Sequence, residues 1–85
     1  MKNKGMKTQT AVAMRVSQLL IENDMTQYAL SIKSGLSKQA IANIINEKYT
    51  TVKFDTIIKL ADGFGMDWRE FTNDKLFDRI NLNID

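Results

Sequence analysis

The chain has 85 residues and a formal net charge of +2, and it contains no cysteine and no histidine. This length is typical of one domain, and the two missing residue types exclude disulfides, thiolate zinc sites and catalysis by cysteine or histidine. No apolar run approaches the roughly 18 residues of a membrane span, so we expect a cytoplasmic protein with no membrane segment. Because cysteine and histidine are missing, we also expect that the protein is not an enzyme and has no cofactor or metal site.

The N-terminal residues predict an arm followed by a helix. Residues 1–9 are expected to form a flexible basic arm, because the first seven include three lysines and show no apolar periodicity. The first helix should begin at Thr8 or Thr10, either of which could cap it, and should end near Asn23 and Asp24. Its apolar residues recur at helical spacing: Val12, Val16, Leu19 and Leu20.

Two short helices joined by a glycine turn should follow. Thr26 is the expected cap of the second helix, Gly35 supplies the left-handed backbone that ends it, and Ser37 caps the third. The apolar residues of the third helix form one buried stripe: Ala40, Ile41, Ile44 and Ile45. The residues expected to face outward are Lys38, Gln39, Ala42 and Asn43.

Two further helices complete a domain that we expect over residues 10–73. The fourth helix should begin near Phe54 and end at Gly65, and Asp67 should cap a fifth helix that places Trp68 and Phe71 in the core. The tail, residues 74–85, fits either a strand or a helix, and we expect it to be extended and to cover the core or a partner subunit. The predicted fold class is all-α, with five short helices.

Charge is distributed unevenly along the chain. Residues 1–53 have eight basic and three acidic side chains, a net charge of +5, whereas residues 54–85 have four basic and seven acidic ones, a net charge of −3. This division suggests one surface that is attracted to a polyanion and another that is kept away from it. Ordinary solvated charges explain the same pattern equally well.

The second and third helices, with Ser34-Gly35-Leu36 between them, have the length and apolar spacing of a helix-turn-helix, which we place at residues 26–46. The segment TQYALSIKSGLSKQAIANII and the later segment FDTIIKLADGFGMDWREF together resemble the Cro/C1-type, or Xre, family of phage and bacterial repressors. The resemblance runs from about Arg15 to Phe71 and implies a five-helix, lambda-repressor-like DNA-binding domain.

The resemblance implies that the third helix lies in the major groove of DNA and that its first side chains read base edges. The base-reading residues are then Lys38, Gln39 and Asn43, because lysine donates to guanine and an amide pairs with adenine. The residues implied to contact the DNA backbone are Thr26, Gln27, Ser37, Lys48, Tyr49 and Thr50. The alternative interpretation of the first group is three ordinary polar residues on a solvated helix face.

The chain departs from the family pattern at two places. Glu47 stands where the family usually has glycine, which removes the residue best suited to a left-handed turn and puts a carboxylate near phosphates. Leu20 and Ile45 stand where the family commonly has an arginine and a glutamate. Replacing both members of a buried ion pair by aliphatic residues is self-consistent, so we predict that Leu20 and Ile45 touch in the core.

The expected function is that of a sequence-specific, double-stranded DNA-binding transcriptional regulator, a repressor that binds a pseudo-palindromic operator as a homodimer. One alternative is a DNA-binding antitoxin or accessory subunit whose acidic C-terminal part docks a partner protein. Another is a protein-interaction module that keeps the fold and has lost DNA binding. The tail at residues 74–85 is a candidate for dimer contacts, and no catalytic, cofactor-binding or metal-binding residue is expected.

Overall fold

The computed structural model describes residues 5–84, so the first four residues of the expected arm and Asp85 lie outside the described residues. The helices are α1 (Thr8–Glu22), α2 (Gln27–Ser34), α3 (Lys38–Ile45), α4 (Phe54–Gly63) and α5 (Trp68–Thr72). Two turns of 3-10 helix, Lys75–Phe77 and Arg79–Asn81, follow α5. Residues 5–84 are therefore all-α, which confirms the predicted fold class.

Three helices begin at the residues that the sequence predicts. The side chains of Thr26, Ser37 and Asp67 accept hydrogen bonds from backbone N–H groups in the first turns of α2, α3 and α5. A hydrogen bond from the Arg69 side chain lowers the pKa of Asp67 below its ordinary value, which keeps this cap ionised. Gly35 ends α2 in the left-handed conformation, with φ of 79°.

The start of α1 differs from the predicted one. Lys7 precedes the first helical residue and its side chain makes no capping hydrogen bond. Neither Thr8 nor Thr10 caps the helix, because both lie within it. The hydroxyl of Thr10 donates instead to the carboxylate of Glu47, in the loop after α3.

One apolar core joins the five helices. Its buried side chains are Val12, Val16, Leu19, Leu30, Ile41, Ile44, Ile57, Leu60, Ala61 and Phe71. Phe71 is fully buried, as predicted, whereas Trp68 is 38% exposed and packs edge-on against Phe54, with ring centroids 5.0 Å apart. The predicted burial of Trp68 is therefore wrong, because the short α5 turns only Phe71 into the core.

Leu20 and Ile45, which replace the family's common ion pair, are half-buried and pack against this core. They lie on α1 and α3, two helices that contact each other. Direct contact between the two side chains stays a prediction.

Helix α4 packs closely against α2 because Gly63 has no side chain. A Cβ atom at Gly63 would lie 2.6 Å from Leu30 Cδ1 and 2.9 Å from Ser34 Cβ, which is closer than packed carbon atoms approach. Ser34 is the last residue of α2. At Gly63 the backbone of α4 therefore lies directly against Leu30 and Ser34 of the helix-turn-helix.

Arg15 joins α1 to the end of α5. Its Nε donates to the backbone oxygen of Phe71 at 2.8 Å, and its Nη2 donates to that of Glu70 at 3.2 Å. Its Nη1 donates to Gln18 Oε1 at 2.9 Å and lies 3.4 Å from a carboxylate oxygen of Asp74. A guanidinium that is almost completely buried is thus compensated by two carbonyls, an amide oxygen and a carboxylate.

The two ends of the described chain pair with each other. Met6 donates its N–H to the carbonyl of Asn81 at 2.9 Å and accepts from the N–H of Asn83 at 2.8 Å, in a parallel bridge with Leu82. The flexible arm expected over residues 1–9 therefore differs from the structure at residues 6–9, since Met6 is paired and α1 contains residues 8 and 9. The tail is not extended throughout: it turns twice, and Phe77 and Leu82 pack inward because both are apolar.

Two further findings concern residues 5–84 alone. None of the helices there has the length and apolar character that crossing a membrane requires. No group of three or more histidine, cysteine, aspartate or glutamate side chains is placed so that it could hold a metal ion.

Candidate nucleic-acid interface

The two faces of α3 differ in polarity. Ile41 and Ile44 are buried on the inner face, and Lys38 and Gln39 are exposed on the outer face. Asn43, one turn beyond Gln39, is half-buried at the edge of that outer face. The apolar periodicity of the helix therefore predicts its orientation correctly, and an ammonium and an amide are left to face a ligand.

A chain of hydrogen bonds links α3 to the loop that follows it. Gln39 Nε2 donates to Asn43 Oδ1 at 2.9 Å, and Asn43 Nδ2 donates to the hydroxyl of Tyr49 at 3.3 Å. The first bond has a sequence signal, because residues four apart on a helix are neighbours. The second has none, because it depends on how the loop folds back beside α3.

Lys38 is exposed and forms no ion pair with any residue of the described chain. Its ammonium has three N–H donors and no acceptor. A ligand that offers acceptor atoms therefore binds this group without first breaking an internal interaction.

The six residues that the family resemblance assigns to the DNA backbone are all exposed: Thr26, Gln27, Ser37, Lys48, Tyr49 and Thr50. Two of them already stabilise the fold, because the hydroxyl oxygens of Thr26 and Ser37 cap α2 and α3. A hydroxyl that accepts a capping hydrogen bond still has its own hydrogen to donate. The caps and a ligand contact are therefore compatible.

The loop between α3 and α4 lies alongside α3. Its residues 48–50 line one surface groove together with Ala40 and Ile44. Lys53, the exposed residue that precedes α4, lines the same groove. The sequence does not single out Lys53, because a single lysine carries no signal until the loop conformation places it in the same groove as Lys48.

Glu47 adopts the left-handed backbone that glycine usually supplies at this point of the family, with φ of 56°. A residue with a side chain is strained in this conformation. The Thr10 hydroxyl donates a hydrogen bond to its carboxylate, which helps to offset that strain and holds the charged group against α1. The turn after α3 is thus retained without glycine.

The comparisons with known proteins agree with this geometry. A family model described as the Cro/C1-type HTH DNA-binding domain matches residues 15–75, a span that includes the helix-turn-helix and the two helices after it. Comparisons with curated proteins and with solved structures found no significant match. Because the family model covers more than half of the 85 residues, the chain belongs to the Cro/C1-type helix-turn-helix family of DNA-binding domains.

Proposed function

We propose that this protein is a sequence-specific transcriptional regulator that binds double-stranded DNA as a homodimer and represses transcription from a pseudo-palindromic operator. The observation that carries the proposal is the outer face of α3, where Lys38 and Gln39 are exposed above the buried Ile41 and Ile44. Membership of a DNA-binding family indicates the ligand that this face meets.

In the proposed complex α3 enters the major groove and its exposed side chains reach base edges. The ammonium of Lys38 donates to N7 and O6 of guanine. The amides of Gln39 and Asn43 donate to N7 of adenine and accept from its N6 amino group. These contacts supply the sequence preference, because each good pairing is worth about 1–3 kcal/mol of discrimination against the wrong base.

Residues around α3 contact phosphates and position the protein without distinguishing sequences. The backbone N–H groups at the starts of α2 and α3 favour the same anions. The side chains that we assign to this role are Thr26, Gln27, Ser37, Lys48 and Thr50, together with Lys53 from the same groove as Lys48.

Two copies of the chain are needed for useful specificity, because one reading helix touches only a few base pairs. Two half-sites about 10 base pairs apart place both copies of α3 on one side of the duplex. A dimer bound to an operator that overlaps a promoter would block transcription simply by occupying the DNA.

Selection of bound fragments from random double-stranded DNA tests the proposal. We expect the enriched fragments to contain two inverted half-sites about 10 base pairs apart, and we expect affinity to fall steeply with salt through counterion release. Enrichment of single half-sites would contradict the homodimer. Binding with neither sequence preference nor salt dependence would contradict the whole proposal and favour a protein-interaction module.

Two substitutions separate base reading from phosphate contact. Gln39→Ala should reduce the affinity ratio between a selected duplex and a scrambled one about tenfold, because it removes one base contact. Lys48→Ala should weaken binding to both duplexes equally and reduce the slope of log affinity against log salt by about one. Fluorescence anisotropy at several salt concentrations measures both quantities. Equal losses on the two duplexes for Gln39→Ala would show that Gln39 only positions the protein.

A further inference from the structure

We propose that Tyr49 is a positioning residue for base recognition, whose hydroxyl orients the amide of Asn43 and, through it, the amide of Gln39. The inference rests on the proposed function and adds a residue to its specificity. It also replaces the phosphate contact that the family resemblance implies for Tyr49.

The hydrogen bonds run in one direction along the three side chains. Gln39 Nε2 donates to Asn43 Oδ1 at 2.9 Å, and Asn43 Nδ2 donates to the Tyr49 hydroxyl at 3.3 Å. Asn43 therefore turns its carbonyl oxygen toward Gln39 and its amino group toward Tyr49. Gln39 keeps its carbonyl oxygen and one N–H unused, the acceptor and donor that pairing with adenine requires.

The environment of each side chain explains why the hydroxyl matters. Gln39 is exposed, so without a partner its long side chain samples several rotamers and loses that freedom when it binds a base. Tyr49 is 40% exposed and lines the same surface groove as Ala40 and Ile44, with its hydroxyl 3.3 Å from Asn43 Nδ2. The two hydrogen bonds, acting through Asn43, therefore limit the rotamers that the exposed amide of Gln39 can adopt.

Tyr49→Phe tests this role, because it deletes the hydroxyl and keeps the ring. The probes are a duplex selected by the wild-type chain from random DNA and a scrambled duplex of the same composition. We expect the affinity ratio between the two to fall about fivefold, the worth of one neutral hydrogen bond. Affinity for the scrambled duplex and the salt dependence should stay unchanged. In an Asn43→Ala background, Tyr49→Phe should have no further effect, because Tyr49 acts through Asn43.

Tyr28→Phe is the matched control. Tyr28 is exposed on α2 and its hydroxyl makes no hydrogen bond with any residue of the described chain, so the affinity ratio should not change. Thermal unfolding of the Tyr49→Phe chain should match that of the wild type. Equal losses on both duplexes would identify Tyr49 as a phosphate contact and overturn the inference, as would an unchanged ratio; the salt slope stays the same in each case because the hydroxyl carries no charge. A wild-type chain that selects no sequence would overturn the proposed function itself.

Discussion

The side chain of Arg15, on α1, holds the end of α5 in place through hydrogen bonds. The last carbonyls of a helix have no partner four residues further on within that helix. At the end of α5 the carbonyl of Glu70 accepts from the N–H of Asn73, and both this carbonyl and that of Phe71 lie within hydrogen-bond reach of α1. The planar fork of the Arg15 guanidinium donates to both, at Phe71 and Glu70. Its ring contact with Phe71, 5.9 Å from the guanidinium carbon to the ring centroid, adds to the attachment.

Replacing Arg15 by methionine should lower the free energy of unfolding by about 2 kcal/mol, because the Phe71 carbonyl loses the buried bond from Arg15 and the Glu70 carbonyl keeps only the N–H of Asn73. Lysine at this position should recover only part of the loss, since one ammonium cannot reach both carbonyls in the same geometry. Asp74→Asn should cost less than about 1 kcal/mol, because that carboxylate is partly exposed and 3.4 Å from the guanidinium. Urea unfolding compares the three variants. Equal stabilities for Arg15→Met and Asp74→Asn would contradict the role of the carbonyl bonds.

The sequence predicts the side chains that bond to backbone groups within one helical turn. Thr26, Ser37 and Asp67 bond to backbone groups two or three positions later, so a local pattern is sufficient to find them. Arg15 reaches carbonyls 55 and 56 positions away, and nothing near it in the chain predicts those partners. The exposure of Lys38 and Gln39 was predicted from periodicity, whereas the bond between Asn43 and Tyr49 depends on a loop.

At the scale of helices, a glycine lets α4 lie close to α2. Gly63 is the last residue of α4, and it is buried. The contact with α2 explains its presence, since a methyl group would overlap with Leu30 and Ser34. Helical periodicity predicts both helices but not the distance between them, so it does not predict the contact of Gly63 with α2.

Gly63→Ala should destabilise the protein by about 1–3 kcal/mol, the usual cost of overpacking, although the same change in an exposed helix is stabilising. Asp62→Ala, one position earlier and exposed, is the matched control and should leave stability unchanged or slightly raised. Combining Gly63→Ala with Leu30→Val should cost less than the sum of the two, because valine lacks the nearest overlapping atom. A Gly63→Ala variant as stable as the wild type in urea would show that α2 and α4 can separate easily.

At the scale of the whole described molecule, residues 5–7 before α1 and residues 73–84 after α5 pack against the helices. The backbone bonds between Met6 and the tail, the inward packing of Phe77 and the burial of Leu82 add a layer beside α1. The sequence of the tail fits more than one element, and its partner Met6 lies at the opposite end of the chain. The sequence therefore predicts a tail that covers the core or a partner subunit, but it does not predict the pairing of that tail with Met6.

Leu82→Ala should lower the free energy of unfolding by about 2 kcal/mol, because it removes a buried side chain. Ile80→Ala, two positions earlier in the same segment, is the control: Ile80 is 82% exposed, and its truncation should change stability by less than about 0.5 kcal/mol. Thermal and urea unfolding measure the difference. Equal effects of the two truncations would mean that the tail is not docked in solution.

The close contact of Gly63 with Leu30 and Ser34 couples α4 to the helix that precedes α3. Gly63 lies against both the Leu30 side chain and the Ser34 backbone, so α4 cannot move toward α2 unless one of them shifts. Ser34 is the last residue of α2, and only three residues separate it from the start of α3. A displacement of α4 toward α2 would therefore shift the end of α2 from which the chain continues to α3.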